Sequence, residues 1–131
     1  MQITPWENYA KAISPDGHYV ATFDDADEIA MGGPTRGTLT VHAINSADPL
    51  VILTNAGSAF VWSSDSKAIA VPRWTATRKQ QICVLWVPGG EIDQWEPEYS
   101  VLQLESFIDY RIVGVDSPIY HPIRVTLQFT P

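Results

Sequence analysis

The sequence predicts an all-β fold of two packed antiparallel sheets, closed as a sandwich or a partly open barrel. Three observations carry this. One phrase occurs twice: "SPDGHYVATF" at residues 14–23 and "SSDSKAIAVP" at 63–72 align at a shift of 49 residues. Ten Pro and eight Gly interrupt the 131-residue chain too often for long helices. No segment shows helical periodicity, whereas several alternate apolar and polar residues as one-sided strands do.

The repeated phrase is a turn followed by a strand. Ser14 falls on Ser63, Asp16 on Asp65, Val20 on Ile69 and Ala21 on Ala70. Each Asp can fold its carboxylate back on the backbone, and Gly17 or Ser66 then closes the turn. "YAKAI" at 9–13 leads into the first turn and "HYVATF" at 18–23 leaves it, so the first copy opens with a hairpin. "GTLTVHAI" at 37–44 follows, with Leu39, Val41 and Ala43 on one face and Thr38, Thr40 and His42 on the other. "PLVILT" at 49–54 supplies a fourth strand.

In the second copy, "AFVW" at 59–62 and "KAIAV" at 67–71 flank the turn. "QICVLWV" at 81–87 is apolar on both faces, the mark of a central strand covered twice. Its fourth strand is expected within 92–104. A third, decayed copy is expected from near Phe107. There "DYRIVGV" at 109–115 aligns on 65–71, and "HPIRVTLQF" at 121–129 sets Ile123, Val125, Leu127 and Phe129 on one face. The chain reads as a single domain over 1–131, with repeats at about 9–57 and 58–105 and a partial repeat at about 106–131.

These repeats resemble blades of β-propellers of the TolB-like and WD-repeat-like kind. The blade motif there runs as a Trp-Ser-Pro-Asp-Gly turn, an apolar strand, and a strand closing on Gly-Gly-Glu. "ISPDGHYVATF" carries the turn intact, and the second copy carries Trp62, Ser63, Asp65, Gly89, Gly90 and Glu91. That copy departs at Ser64 and Ser66, where Pro and Gly are usual, and the third keeps only the strand pattern. The resemblance implies blade-like four-stranded sheets. A closed propeller takes at least four blades of ~40 residues. Two and a half blades must cover one another or be completed by another subunit.

Composition narrows the partners. With 45% hydrophobic and 18% charged residues the chain is expected to be globular. A net charge of -7 argues against binding a nucleic-acid backbone and suits a basic partner. The single Cys83 excludes an internal disulfide. "MQITPWENYAKAI" shows no leader pattern, and no apolar run approaches the ~20 residues of a spanning helix, so a soluble, cytoplasmic protein without a membrane partner is expected.

Three stretches are candidate binding residues. Asp24, Asp25, Asp27 and Glu28 form an acidic loop, which lacks the spacing of a calcium loop because its sixth residue is Ile29. Arg73, exposed-looking Trp74, Arg78 and Lys79 occupy the equivalent loop of the second copy, so both loops are expected on one rim, where they bind a partner or neutralise each other. Glu91, Asp93, Glu96 and Glu98 interleave with Trp95 and Tyr99, a pattern suited to a basic, partly apolar partner or to a charged edge strand that resists aggregation.

Chemistry is less visible. His18, His42, His121 and Cys83 share no metal-ligand spacing, and Cys83 is expected to be a core thiol, so no metal or cofactor is expected. No GxSxG elbow, P-loop or GxGxxG is present. The expectation is a non-enzymatic protein-binding domain, in the manner of a small bacterial immunity protein that occludes a basic toxin. The alternative is a propeller-like scaffold or accessory protein completed by self-association into a homo-oligomer. A remote alternative is a small hydrolase or sugar-binding protein using Trp74 and Trp95.

Overall fold

The two copies of the repeated phrase fold into the same hydrogen-bonded turn. In the first, the Ser14 hydroxyl donates to Asp16 Oδ1 (2.6 Å) and accepts the Tyr19 amide (3.0 Å), while Asp16 Oδ1 also accepts the His18 amide (3.0 Å). In the second, the Ser63 hydroxyl donates to Asp65 Oδ1 (2.7 Å) and accepts the Ala68 amide (3.1 Å), and Asp65 Oδ1 accepts the Lys67 amide (3.1 Å). Ser and Asp are therefore the residues that convert this stretch into a hairpin: together they replace the strand partners that the turn backbone lacks.

The computed structural model of the chain describes residues 2–131. From these turns grow eleven strands, with no helix among the described residues. The first antiparallel meander is β1 (Ala10–Ile13), β2 (Tyr19–Glu28), β3 (Thr35–Ala43) and β4 (Pro49–Ala56). The second is β5 (Val61–Trp62), β6 (Ala68–Trp74), β7 (Gln80–Trp86) and β8 (Ile92–Gln94). The third has three strands, β9 (Leu102–Ile108), β10 (Arg111–Asp116) and β11 (Ile123–Gln128). The first two meanders join as one eight-stranded sheet through a single backbone pair, Ala56 with Arg73, and the third is a separate sheet in the order β11-β10-β9. The fold is thus all-β with two antiparallel sheets, as the sequence predicts.

Packing follows from the side-chain period of two. Phe23, Leu39, Val41 and Leu53 of the first meander meet Ile69, Val71, Cys83 and Leu85 of the second, so the large sheet folds back on itself. On its opposite face the second meander presents Ala68, Ala70, Ile82 and Val84 to Leu102, Leu104, Phe107 and Ile112 of the third. The middle meander is therefore covered on both sides, which is why residues 81–87 read as apolar on both faces. Each fully buried Leu or Ile contributes about 2 kcal/mol. The hydrogen bonds between meanders, such as Trp62 Nε1 to the Ala12 carbonyl (3.0 Å), add about 1 kcal/mol each and set register more than stability.

The structure corrects the sequence reading of two strands. The 24–28 stretch is not a loop: β2 continues through it with a bulge between Asp24 and Asp27, where Asp25 takes a positive φ of 52°. A strand also begins well before Phe107, because Leu102, Leu104 and Phe107 point inward along β9. Its partner β10 follows through a two-residue turn, with Asp109 and Tyr110 both at positive φ, in place of the Ser–Asp turn of the other copies.

Candidate functional site

A concave surface is built by the mismatch between a four-stranded meander and the three-stranded sheet that covers it. On β7, Ile82, Val84 and Trp86 alternate toward the third sheet. On β8, Asp93 lies directly opposite Val84, which places it on that same face. The Trp86 indole N–H donates to Asp93 Oδ2 (2.9 Å), and the Trp95 amide donates to the Ile82 carbonyl (3.1 Å). Both aromatic rings pack on the side of β7 and β8 that faces the third sheet.

Phe129, just past the end of β11, meets these rings. Its ring centroid lies 4.9 Å from that of Trp95, 6.5 Å from Trp86, 5.9 Å from Phe107 and 5.6 Å from Tyr110. The rings touch and form one apolar surface, over which lies a groove of about 1160 Å³ lined also by the exposed carboxylates Glu91 and Asp93 and by Lys67. Two carboxylates against one ammonium leave it net negative. Aromatic faces next to carboxylates form a site for a cation that carries apolar surface, above all an Arg or Lys side chain.

The candidate residues of the sequence distribute unevenly over this site. Glu91, Asp93 and Trp95 line the groove. Glu96 and Glu98 are exposed beside it, and Tyr99 is half-buried, bridging to Gln80 through two 2.8 Å backbone hydrogen bonds. Burial and then the Asp116 carboxylate raise the Tyr99 phenol above its ordinary pKa. β8 is one edge of the large sheet, so its charges also protect that edge from pairing with another chain.

The other two stretches form no comparable site. Trp74 is buried, not exposed: its indole donates to the Thr35 carbonyl (3.0 Å), which leaves Trp95 as the accessible aromatic of the pair. That same bond holds the ends of the β2–β3 and β6–β7 hairpins together, because Thr35 is paired to Glu28. Asp25, Asp27 and Glu28 stay exposed there, Asp24 is half-buried, and Arg78 and Lys79 are exposed in the β6–β7 turn. Neither ion pair among the described residues, His18–Asp16 and Arg124–Glu105, links the acidic to the basic hairpin. Arg73 turns away, its Nε donating to the Thr54 carbonyl (3.2 Å).

Cys83 is fully buried in β7, and desolvation lifts its thiol to about 11, which removes it as a nucleophile near neutral pH. Sequence reasoning did not single out Phe129, Lys67 or Trp86 as groove residues. Phe129 could be seen as the last member of an alternating run, but nothing local in 86–95 signals that residues 128–131 lie across from it.

No family model matches the chain, and no curated protein matches its sequence. Among solved structures, it is similar to the β-propeller domain of the Trilobed protease from Pyrococcus furiosus, described as having an open velcro topology. The TM-score is 0.57 at 15% sequence identity, covering 85% of this chain and 40% of that one. The chain thus spans well under half the length of the propeller it matches, and the likeness shows a propeller-like fold.

Proposed function

We propose that this is a non-enzymatic protein-binding domain that holds a basic, partly apolar partner in the groove over Trp86, Trp95 and Phe129. The observation that supports this best is the pairing of an aromatic surface with the Glu91 and Asp93 carboxylates. Large aromatics supply most of the binding energy at protein interfaces, while carboxylates on a chain of net charge -7 speed the approach of a cationic partner. Two finer readings go with this one: the meanders are blades of the TolB-like or WD-repeat-like type, and the partner is a basic toxin that the protein occludes as an immunity protein. The test is titration with Lys- and Arg-rich peptides alongside charge-reversed acidic controls, read by Trp fluorescence at low and high salt. Salt-sensitive binding of the basic set, weakened in Trp95→Ala, supports the proposal. Equal binding of the acidic set, or no response to either, counts against it. For the toxin form, a basic toxin still active when saturated with the protein would be decisive against it.

The outer face of the first meander favours a second reading, a scaffold completed by a second copy. Lys11, Thr22, Thr40 and Ile52 lie side by side across its four strands. Ile13 (55% exposed) and Ile52 (59% exposed) have no sheet over them, unlike the faces within the stack. Light scattering separates the cases: a salt-independent dimer supports self-association, and a monomer of about 14.5 kDa at every concentration opposes it.

A further inference from the structure

The three meanders contain four, four and three strands, and the shortfall lies in one place. Among the described residues, β11 is bonded on one side to β10 and has no strand on the other. β8, the fourth strand of the middle meander, carries Asp93 on the face turned toward the third sheet, with Trp95 following on the same side. No strand of that sheet covers this face. Phe129 reaches part of the way across, and beyond it is the groove.

We infer that this groove is a strand-shaped slot, and that its occupant is an extended basic segment of a partner protein, which adds to the free edge of β11 as a fourth strand. Two features meet at the end of β11, where Gln128 and the residues that follow it line the groove. An unpaired strand edge offers a row of backbone donors and acceptors, which recruits an extended chain whatever its sequence. The groove beside it selects the side chains. In an added strand every second residue faces the middle meander, and there it meets the Trp86 and Trp95 rings with the Glu91 and Asp93 carboxylates beside them. An Arg or Lys at those positions is satisfied on its charge by the carboxylates and on its flat or methylene surface by the rings. Apolar residues in the same register extend the Phe129 contact. The segment is therefore one that alternates basic or apolar inward residues with unconstrained outward ones. It must be free of Pro wherever its backbone donates to β11.

This inference rests on the proposed protein-binding groove and adds the conformation and backbone register of what binds. It is tested with two synthetic peptides of equal composition: one alternating Arg with Val, and one with N-methylated amides at every second residue, which blocks strand pairing and keeps all side chains. Amide hydrogen exchange is measured across β11 in the intact protein. The expected result is slowed exchange over 123–128 with the first peptide, none with the second, and binding about 30-fold weaker in Trp95→Ala. Asp93→Asn, which keeps the acceptor for Trp86, is expected to flatten the salt dependence. If both peptides bind alike and β11 exchange is unchanged, strand addition is overturned while the groove remains a side-chain site. If neither binds, the protein-binding reading falls with it.

Discussion

Ser66 has a left-handed backbone, with φ 65°, at the position that Gly17 fills in the matching turn with φ 77°. A side chain costs about 1 kcal/mol in that conformation. The reason for Ser is its hydroxyl, which accepts the Asp16 amide at 2.9 Å and ties the second turn to the first. Replacing Ser66 by Gly removes that bond, worth about 1 kcal/mol, and relieves about as much strain. Stability should stay within about 1 kcal/mol of the parent, whereas Ser66→Ala keeps the strain, leaves the Asp16 amide without its partner and should cost about 1–2 kcal/mol by urea denaturation.

The two turn aspartates set the response to acid. The Ser14 hydroxyl and the His18 amide hold Asp16 below its ordinary 3.8. Partial burial opposes the same shift at Asp65, but the Ser63 hydroxyl and the Lys67 amide outweigh it and hold that carboxyl low as well. A carboxyl lowered in the folded state stabilises it fully above the unfolded pKa and ceases to do so as pH falls through the folded one. Both turns should therefore weaken as pH drops below about 4. The doubly substituted Asp16→Asn, Asp65→Asn protein should melt earlier at neutral pH. It should also lose less between about pH 5 and pH 3 than the parent.

At the scale of elements, β2 and β3 show why some of the fold was legible and some was not. Period-two alternation identified the inward residues Leu39 and Val41 correctly. It failed at Asp24–Glu28, because a run of carboxylates reads as loop while the backbone continues pairing through a bulge. The bulge has one local signature, Gly37, which lies opposite it: a β-carbon there would come within 2.5 Å of the Asp24 carbonyl oxygen and 2.9 Å of the Phe23 ring. Gly37→Ala should thus cost about 2–3 kcal/mol in thermal or urea unfolding, through displaced backbone and not lost burial. The candidate site was half legible. The acids and Trp95 announced themselves by composition, but Phe129 joined them only through sheet packing, which a linear pattern does not encode.

For the whole molecule, stacking order governs cooperativity. The middle meander loses its cover only when both neighbours leave, so its amides should open last. Native-state hydrogen exchange is expected to be slowest in β6 and β7, near the global unfolding limit, and faster in β1 and β11 at the outside of the stack. Equal protection across all three meanders would show instead that they open as one unit.

The halves of the large sheet share one backbone pair, at Ala56 and Arg73. A ladder of many pairs would dictate the angle between them; with one pair as a hinge pin, the leaves are held by three side-chain bonds, Trp62 to Ala12, Asp16 to Ser66 and Trp74 to Thr35, and are spaced by the core between them, Leu53, Phe60 and Leu85 included. Aperture is then a function of side-chain volume. A lineage could widen or narrow the whole stack one methyl group at a time without touching a single turn.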